Sequence, residues 1–134
     1  MQPNPVMKKL GLAPTDRAVI IHADDIGMCQ ASLTAWADLV DFGLVSSAAT
    51  MVPCPWFPAV AAYCREHPDV DLGVHLTLTS EWDVYRWRPL STCDPASGLL
   101  DDEGYLPRRE EPVQERAEAE AVQQEIQAQL ERAL

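Results

Sequence analysis

Four consecutive apolar residues, Ala18-Val19-Ile20-Ile21, run straight into His22-Ala23-Asp24-Asp25-Ile26-Gly27. Three of the four are β-branched, the composition of a strand buried on both faces. The stretch therefore predicts a strand over about residues 17–23 with His22, Asp24 and Asp25 crowded at its C-terminal end. In α/β folds that end of a strand is where chemistry is placed. Two neighbouring carboxylates repel each other, so they need a metal, a proton or strong donors close by. A solvated Asp-Asp turn that merely caps the next helix is the plainer alternative.

Downstream, the pattern alternates. A helix is expected from about Cys29 to Phe42, with Leu33, Trp36, Ala37 and Val40 on one apolar face and Gly43 to stop it. Leu44 to Val52 reads as a second strand whose small residues, Ser46 to Ala49, leave room for close approach. Pro53 and Pro55 end it, and Trp56 to Glu66 reads as a second helix that stops before Pro68. Val70 to Thr79 reads as a third strand. A strand–helix–strand–helix–strand rhythm implies crossover connections and a parallel sheet, so the fold class is α/β.

The rhythm then breaks. Residues 80–112 carry Pro89, Pro95, Pro107 and Pro112 with Gly98 and Gly104, and read as one long irregular excursion. Excursions of that length inside a domain are usually functional. A third helix is expected from Glu111 or Pro112 to the end, burying Ala119, Val122, Ile126, Leu130 and Ala133. Residues 1–16 read as a flexible leader broken by Pro3, Pro5 and Pro14, which leaves 17–134 as a single, partial α/β domain. Three parallel strands do not close a barrel, so the domain is either a small open sheet or the front of something larger.

The 134 residues suffice for one modest core, and 47% are hydrophobic. The net charge of −11, with Lys8 and Lys9 as the only lysines, argues against nucleic-acid binding. No stretch approaches membrane-span length, and Met1 to Leu12 lacks the apolar core of a signal peptide. Cys29, Cys54, Cys64 and Cys93 have no C-x-x-C spacing. A cytoplasmic protein with reduced thiols is the expectation, with homo-oligomerisation left open.

Within Gly73-Val74-His75-Leu76, the imidazole sits between apolar neighbours on a strand. Alone it would be a core histidine bonded to a carbonyl. Set beside an Asp-Asp pair at the end of another parallel strand, it suits magnesium, manganese, zinc or iron, with water in the open positions. His22 could be a ligand, a donor to the carboxylates, or a residue facing the sheet. Strict alternation puts His22 and Asp24 on one side and Asp25 on the other until the strand bends. His67 reads as a surface residue at a helix C-terminus. Trp82, Tyr85 and Trp87 follow the third strand and could stack on sugar rings or cover the sheet end as a small core. Arg86 and Arg88 could hold an anion or pair with the acidic surface.

Taken together, His22-Ala-Asp-Asp-Ile-Gly27, Gly73-Val-His-Leu-Thr-Leu-Thr79 and Gly98-Leu-Leu-Asp-Asp-Glu-Gly-Tyr105 resemble the YdjC/ChbG-like carbohydrate deacetylases, from about Arg17 to Leu134. The resemblance implies the front part of a distorted (β/α) barrel. It implies removal of acetyl groups from N-acetylated sugars such as chitooligosaccharides, with a divalent metal, magnesium first and zinc second. Carried over residue by residue, Asp24 is the catalytic base, and Asp25 and His75 are metal ligands.

Two departures accompany it. Many members carry Asn at the position of His22. The family's third metal ligand is a His from a later strand, and no His follows His75 here. The expectation is therefore the N-terminal portion of a longer enzyme with an incomplete site, or else an inactive remnant of that fold. A phosphoacceptor receiver domain also places acids after its first strand. It would need an Asp at the third strand and a later Lys, where this chain has His75 and no Lys beyond Lys9.

Overall fold

The computed structural model describes residues 5–134. Three parallel strands lie in the order β1-β2-β3, with β1 at His22–Ile26, β2 at Ser47–Thr50 and β3 at Leu72–Val74. Between them run α2 (Gln30–Asp41) and α3 (Phe57–Glu66), preceded by a short α1 (Pro5–Lys9). This is the α/β parallel arrangement expected from the alternation. Part of the expected leader is helical, because a proline is tolerated at a first helical position. Pro3 and the start of that leader lie outside the described residues.

The first strand forms later than predicted. Ladder pairing begins at His22↔Ser47, and the apolar run before it is not buried: Val19 and Ile20 are 78% and 79% exposed. Only Ile21 is tied in, its carbonyl accepting from the Ser46 N–H at 3.0 Å and from Ser46 Oγ at 3.2 Å. Composition signalled a strand covered on both faces, but β1 is an edge strand. Among the described residues nothing covers it there.

The helices behave as their periodicity requires. Trp36 of α2, Val60 of α3, Ile26 and Ala48 form one buried cluster, with Leu33, Val40 and Tyr63 packed against it. Small side chains on central β2 let both helices close on the sheet. Gly27 makes the turn from β1 into α2 at φ +94°, and a Cβ there would press Thr50 Oγ1 and Val60 Cγ2 at 3.2 Å. His67 ends α3 exposed, stacked on Tyr63 with 4.0 Å between ring centroids.

The excursion after β3 is irregular, as expected, yet not loose. It contributes Trp87, Leu99 and Leu106 to a second buried cluster with Met51, Cys54 and Val113. The expected last helix is two: α4 (Glu110–Arg116) and α5 (Ala119–Ala133), broken at Ala117 and Glu118, whose backbone is extended. The break is where the arm docks. Gly98 approaches so closely that a Cβ would stand 2.1 Å from the Arg116 carbonyl oxygen, and the Glu118 N–H bonds the Ser97 carbonyl at 3.1 Å. The buried stripe also differs. Glu125 and Gln129 are fully buried, whereas Leu130 is 44% exposed and Ala119 is exposed. Apolar spacing located the helix, but polar partners on the arm decided which face turned inward.

Candidate active site

Asp24 and Asp25 reach the same side of the sheet because β1 is irregular there. Ala23 pairs with Ala48 and Ile26 with Thr50, so two residues of β1 oppose the single Ala49. Such a bulge re-aims a side chain that strict alternation would send away. Asp25 takes φ +60°, a left-handed backbone rare outside glycine. Strain of this kind is retained only where the surroundings over-determine it. A Thr50 Oγ1 donor to the Ile26 carbonyl at 2.8 Å and the Met51 N–H on the same oxygen at 2.9 Å anchor the strand just beyond.

His75 follows directly on β3, its N–H extending the ladder to the Thr50 carbonyl at 2.9 Å. Its Nε2 lies 3.5 Å from Asp25 Oδ1 and 4.0 Å from Asp24 Oδ1. The two outer strands thus deliver their side chains across β2 to one point. His22 joins them: Nε2 stands 3.2 Å from Asp24 Oδ1, and Nδ1 lies 2.7 Å from Ser47 Oγ. From the sequence Ser47 is only one of the four small residues of the second strand. Only the β1–β2 register, which sets it opposite His22, identifies it.

Asp24, Asp25 and His75 face a cleft of about 280 Å³ that Thr77, Glu81 and Trp82 also line. All four site side chains are part-exposed, from 39% at His75 to 60% at Asp24. Beneath them, burial and then the Asp25 charge push the Cys54 thiol up to about 12. That thiol belongs to the second buried cluster and is not a nucleophile.

The three aromatic residues separate. Trp82, half exposed, lines the cleft. Trp87 also borders it, but is 4% exposed, with Nε1 donating to the Thr79 carbonyl at 2.8 Å. It takes the core role that was its alternative. Tyr85 is exposed and does not line the cleft. The Arg86 side chain is buried, bonded to Asp101, Glu103, the Leu106 carbonyl and Ser80, so it pairs with the arm's own carboxylates, the second of its two expected roles.

A metal can be tested against this donor set. Carboxylate and imidazole ligands each about 2.0–2.2 Å from one ion stand roughly 3–3.5 Å from each other, and Asp25 and His75 have that spacing. Among the described residues no group of three or more His, Cys, Asp or Glu is placed to hold an ion. The pair fits as two ligands of a larger set.

The sequence model of the YdjC-like protein family matches residues 18–134. A carbohydrate deacetylase of Thermus thermophilus is 38% identical over 128 residues, covering 96% of this chain and 43% of that protein. A carbohydrate deacetylase of Geobacillus stearothermophilus is 29% identical over 116 residues, covering 87% and 43%. A crystal structure from Enterococcus faecalis V583, provisionally named a cellobiose-phosphate cleavage protein, superposes with a TM-score of 0.73 at 28% identity. It covers 85% of this chain and 42% of that one. The chain spans less than half the length of these relatives. Among the described residues no helix is long and apolar enough to cross a membrane.

Proposed function

This chain belongs to the YdjC-like family, and from that premise we propose that it supplies one side of a metal-dependent carbohydrate deacetylase site acting on N-acetylated amino sugars. The convergence of Asp25 and His75 at 3.5 Å, with Asp24 alongside, is the observation that carries this reading. Asp25 and His75 would hold a divalent cation, magnesium before zinc, with a third donor from the length that the relatives have and this chain does not span. Such a cation, when bound, acidifies a water and polarises an acetyl carbonyl.

The chain's own residues do the rest. Asp24 is the base. Its Oδ1 is held by His22, leaving Oδ2 to take the proton of the attacking water. Ser47 holds His22 from behind, which fixes the carboxylate's aim. Trp82, at the cleft wall, offers a ring face to a sugar.

Asp24→Asn should abolish deacetylation of chitooligosaccharides while calorimetric titration with Mg²⁺ or Zn²⁺ changes little. Asp25→Ala or His75→Ala should weaken the metal at least tenfold. Equal turnover in wild type and Asp24→Asn would reject the assigned base. The short ligand set favours a second reading, an inactive remnant of the fold. Absence of both metal binding and turnover in a protein of the relatives' full length that carries these residues would select it.

A further inference from the structure

Among the described residues no strand lies beyond β3, yet the Thr77 backbone, two residues past His75, is paired. The partner is a side chain. Gln129 of α5 accepts from the Thr77 N–H through Oε1 at 2.9 Å and donates to the Thr77 carbonyl through Nε2 at 2.7 Å. One carboxamide thus makes both bonds that a neighbouring strand would make to one residue. Thr77 in turn donates from Oγ1 to the His75 carbonyl at 2.7 Å.

Gln129 is itself fixed. Its Nε2 also donates to Glu125 Oε1 at 2.8 Å. Glu125 accepts from the Leu90 N–H at 3.1 Å, the Ser91 N–H at 2.8 Å and Ser91 Oγ at 2.6 Å. Both Glu125 and Gln129 are 0% exposed. A buried carboxylate and carboxamide are costly unless every atom is matched, and here the matches all run to the arm and to the strand end behind the cleft. An apolar side chain at 129 would fill the space and leave both Thr77 backbone groups unpaired.

We propose that Gln129, backed by Glu125, is a positioning residue that sets the aim of the His75 imidazole by holding the Thr77 backbone. This rests on the reading of His75 as a site ligand, but its test does not need turnover. The measurement is amide hydrogen exchange and imidazole ¹⁵N spectra of the metal-free full chain at one pH, in wild type and Gln129→Met. The expected result is Thr77 amide exchange about tenfold faster and displaced His75 ring signals, with β1 and β2 amides unchanged. Unchanged Thr77 and His75 signals would overturn it, as would a uniform rise across all three strands, which is what a purely structural role produces.

If Gln129→Met does not fold, Gln129→Asn keeps the polarity and withdraws the amide by one methylene, and the same readouts apply. Failure of both to fold would assign the pair to global stability and overturn the proposal. The expected spectra, with no deacetylation by a protein of the relatives' full length that carries these residues, would leave the clamp standing and remove the enzymatic reading alone.

Discussion

The layer formed by the sheet with α2 and α3 and the irregular arm from Leu76 to Arg109 bury comparable cores by different means. In the layer, Ile26, Trp36, Ala48 and Val60 meet because their spacing puts them on facing surfaces. In the arm, Trp87, Leu99 and Leu106 lie on no periodic element. They are held by polar anchors: Arg86 against Asp101, Trp87 Nε1 on the Thr79 carbonyl, and Glu125 under Leu90 and Ser91. The layer should tolerate changes that conserve volume. The arm should tolerate losing volume better than losing a donor.

The largest expected effect is at the arm's closest approach. Gly98→Ala places a Cβ against the Arg116 backbone at a left-handed φ of +71°, and should cost about 4 kcal/mol or more in urea unfolding. A cost under about 1 kcal/mol would mean that the arm is loosely docked.

Next comes a matched pair. Arg86→Met keeps bulk but removes the charge facing Asp101 and the donors to Ser80 and the Leu106 carbonyl, and should cost about 3 kcal/mol. Val60→Ala, at a fully buried layer position, should cost about 2 kcal/mol by cavity formation. The reverse order would show that apolar packing holds both regions alike.

A smaller effect follows from Asp101. Burial pushes its carboxyl up, but hydrogen bonds from the Tyr105 and Glu103 backbones and from Arg86, together with the Arg86 charge, outweigh that and hold it below the usual carboxylate range. A depressed folded value contributes stability that is full above the unfolded pKa of about 3.9 and lost as pH falls through the folded one. Asp101→Asn should therefore lower stability at neutral pH and flatten the acid limb of the stability profile. An unchanged acid limb would break the link between charge and arm.

The smallest effect is chemical. Exposed Cys93 should alkylate readily at pH 8 while Cys54, whose thiol is pushed up to about 12, stays unmodified until the protein unfolds. Equal rates would show that the buried cluster around Cys54 opens in the native state.

Much of the layer was legible in the sequence. The α2 face from Leu33 to Val40, the Gly43 stop and the small residues of β2 all follow from one-dimensional periodicity. Burial of residues 18–21 was misread, because composition records a preference for cover and cannot say whether cover is present. The continuous last helix was misread because nothing local distinguishes Ala117 and Glu118, whose break is set by Ser97 and Gly98 from a distant segment.

The sequence by itself determined the residue types at the cleft and their placement near the C-terminal ends of strands: an acidic pair at one, which the structure sets inside β1, and an imidazole just behind another. That follows because side-chain chemistry and strand periodicity are local properties. Only the tertiary structure decided that these groups meet. The bulge at Asp24 and Asp25, the parallel register that sets Ser47 behind His22, and the α5 carboxamide on Thr77 depend on pairings 24 to 52 residues apart. No local pattern encodes such pairings, since their energy arises from contacts between segments and not within them.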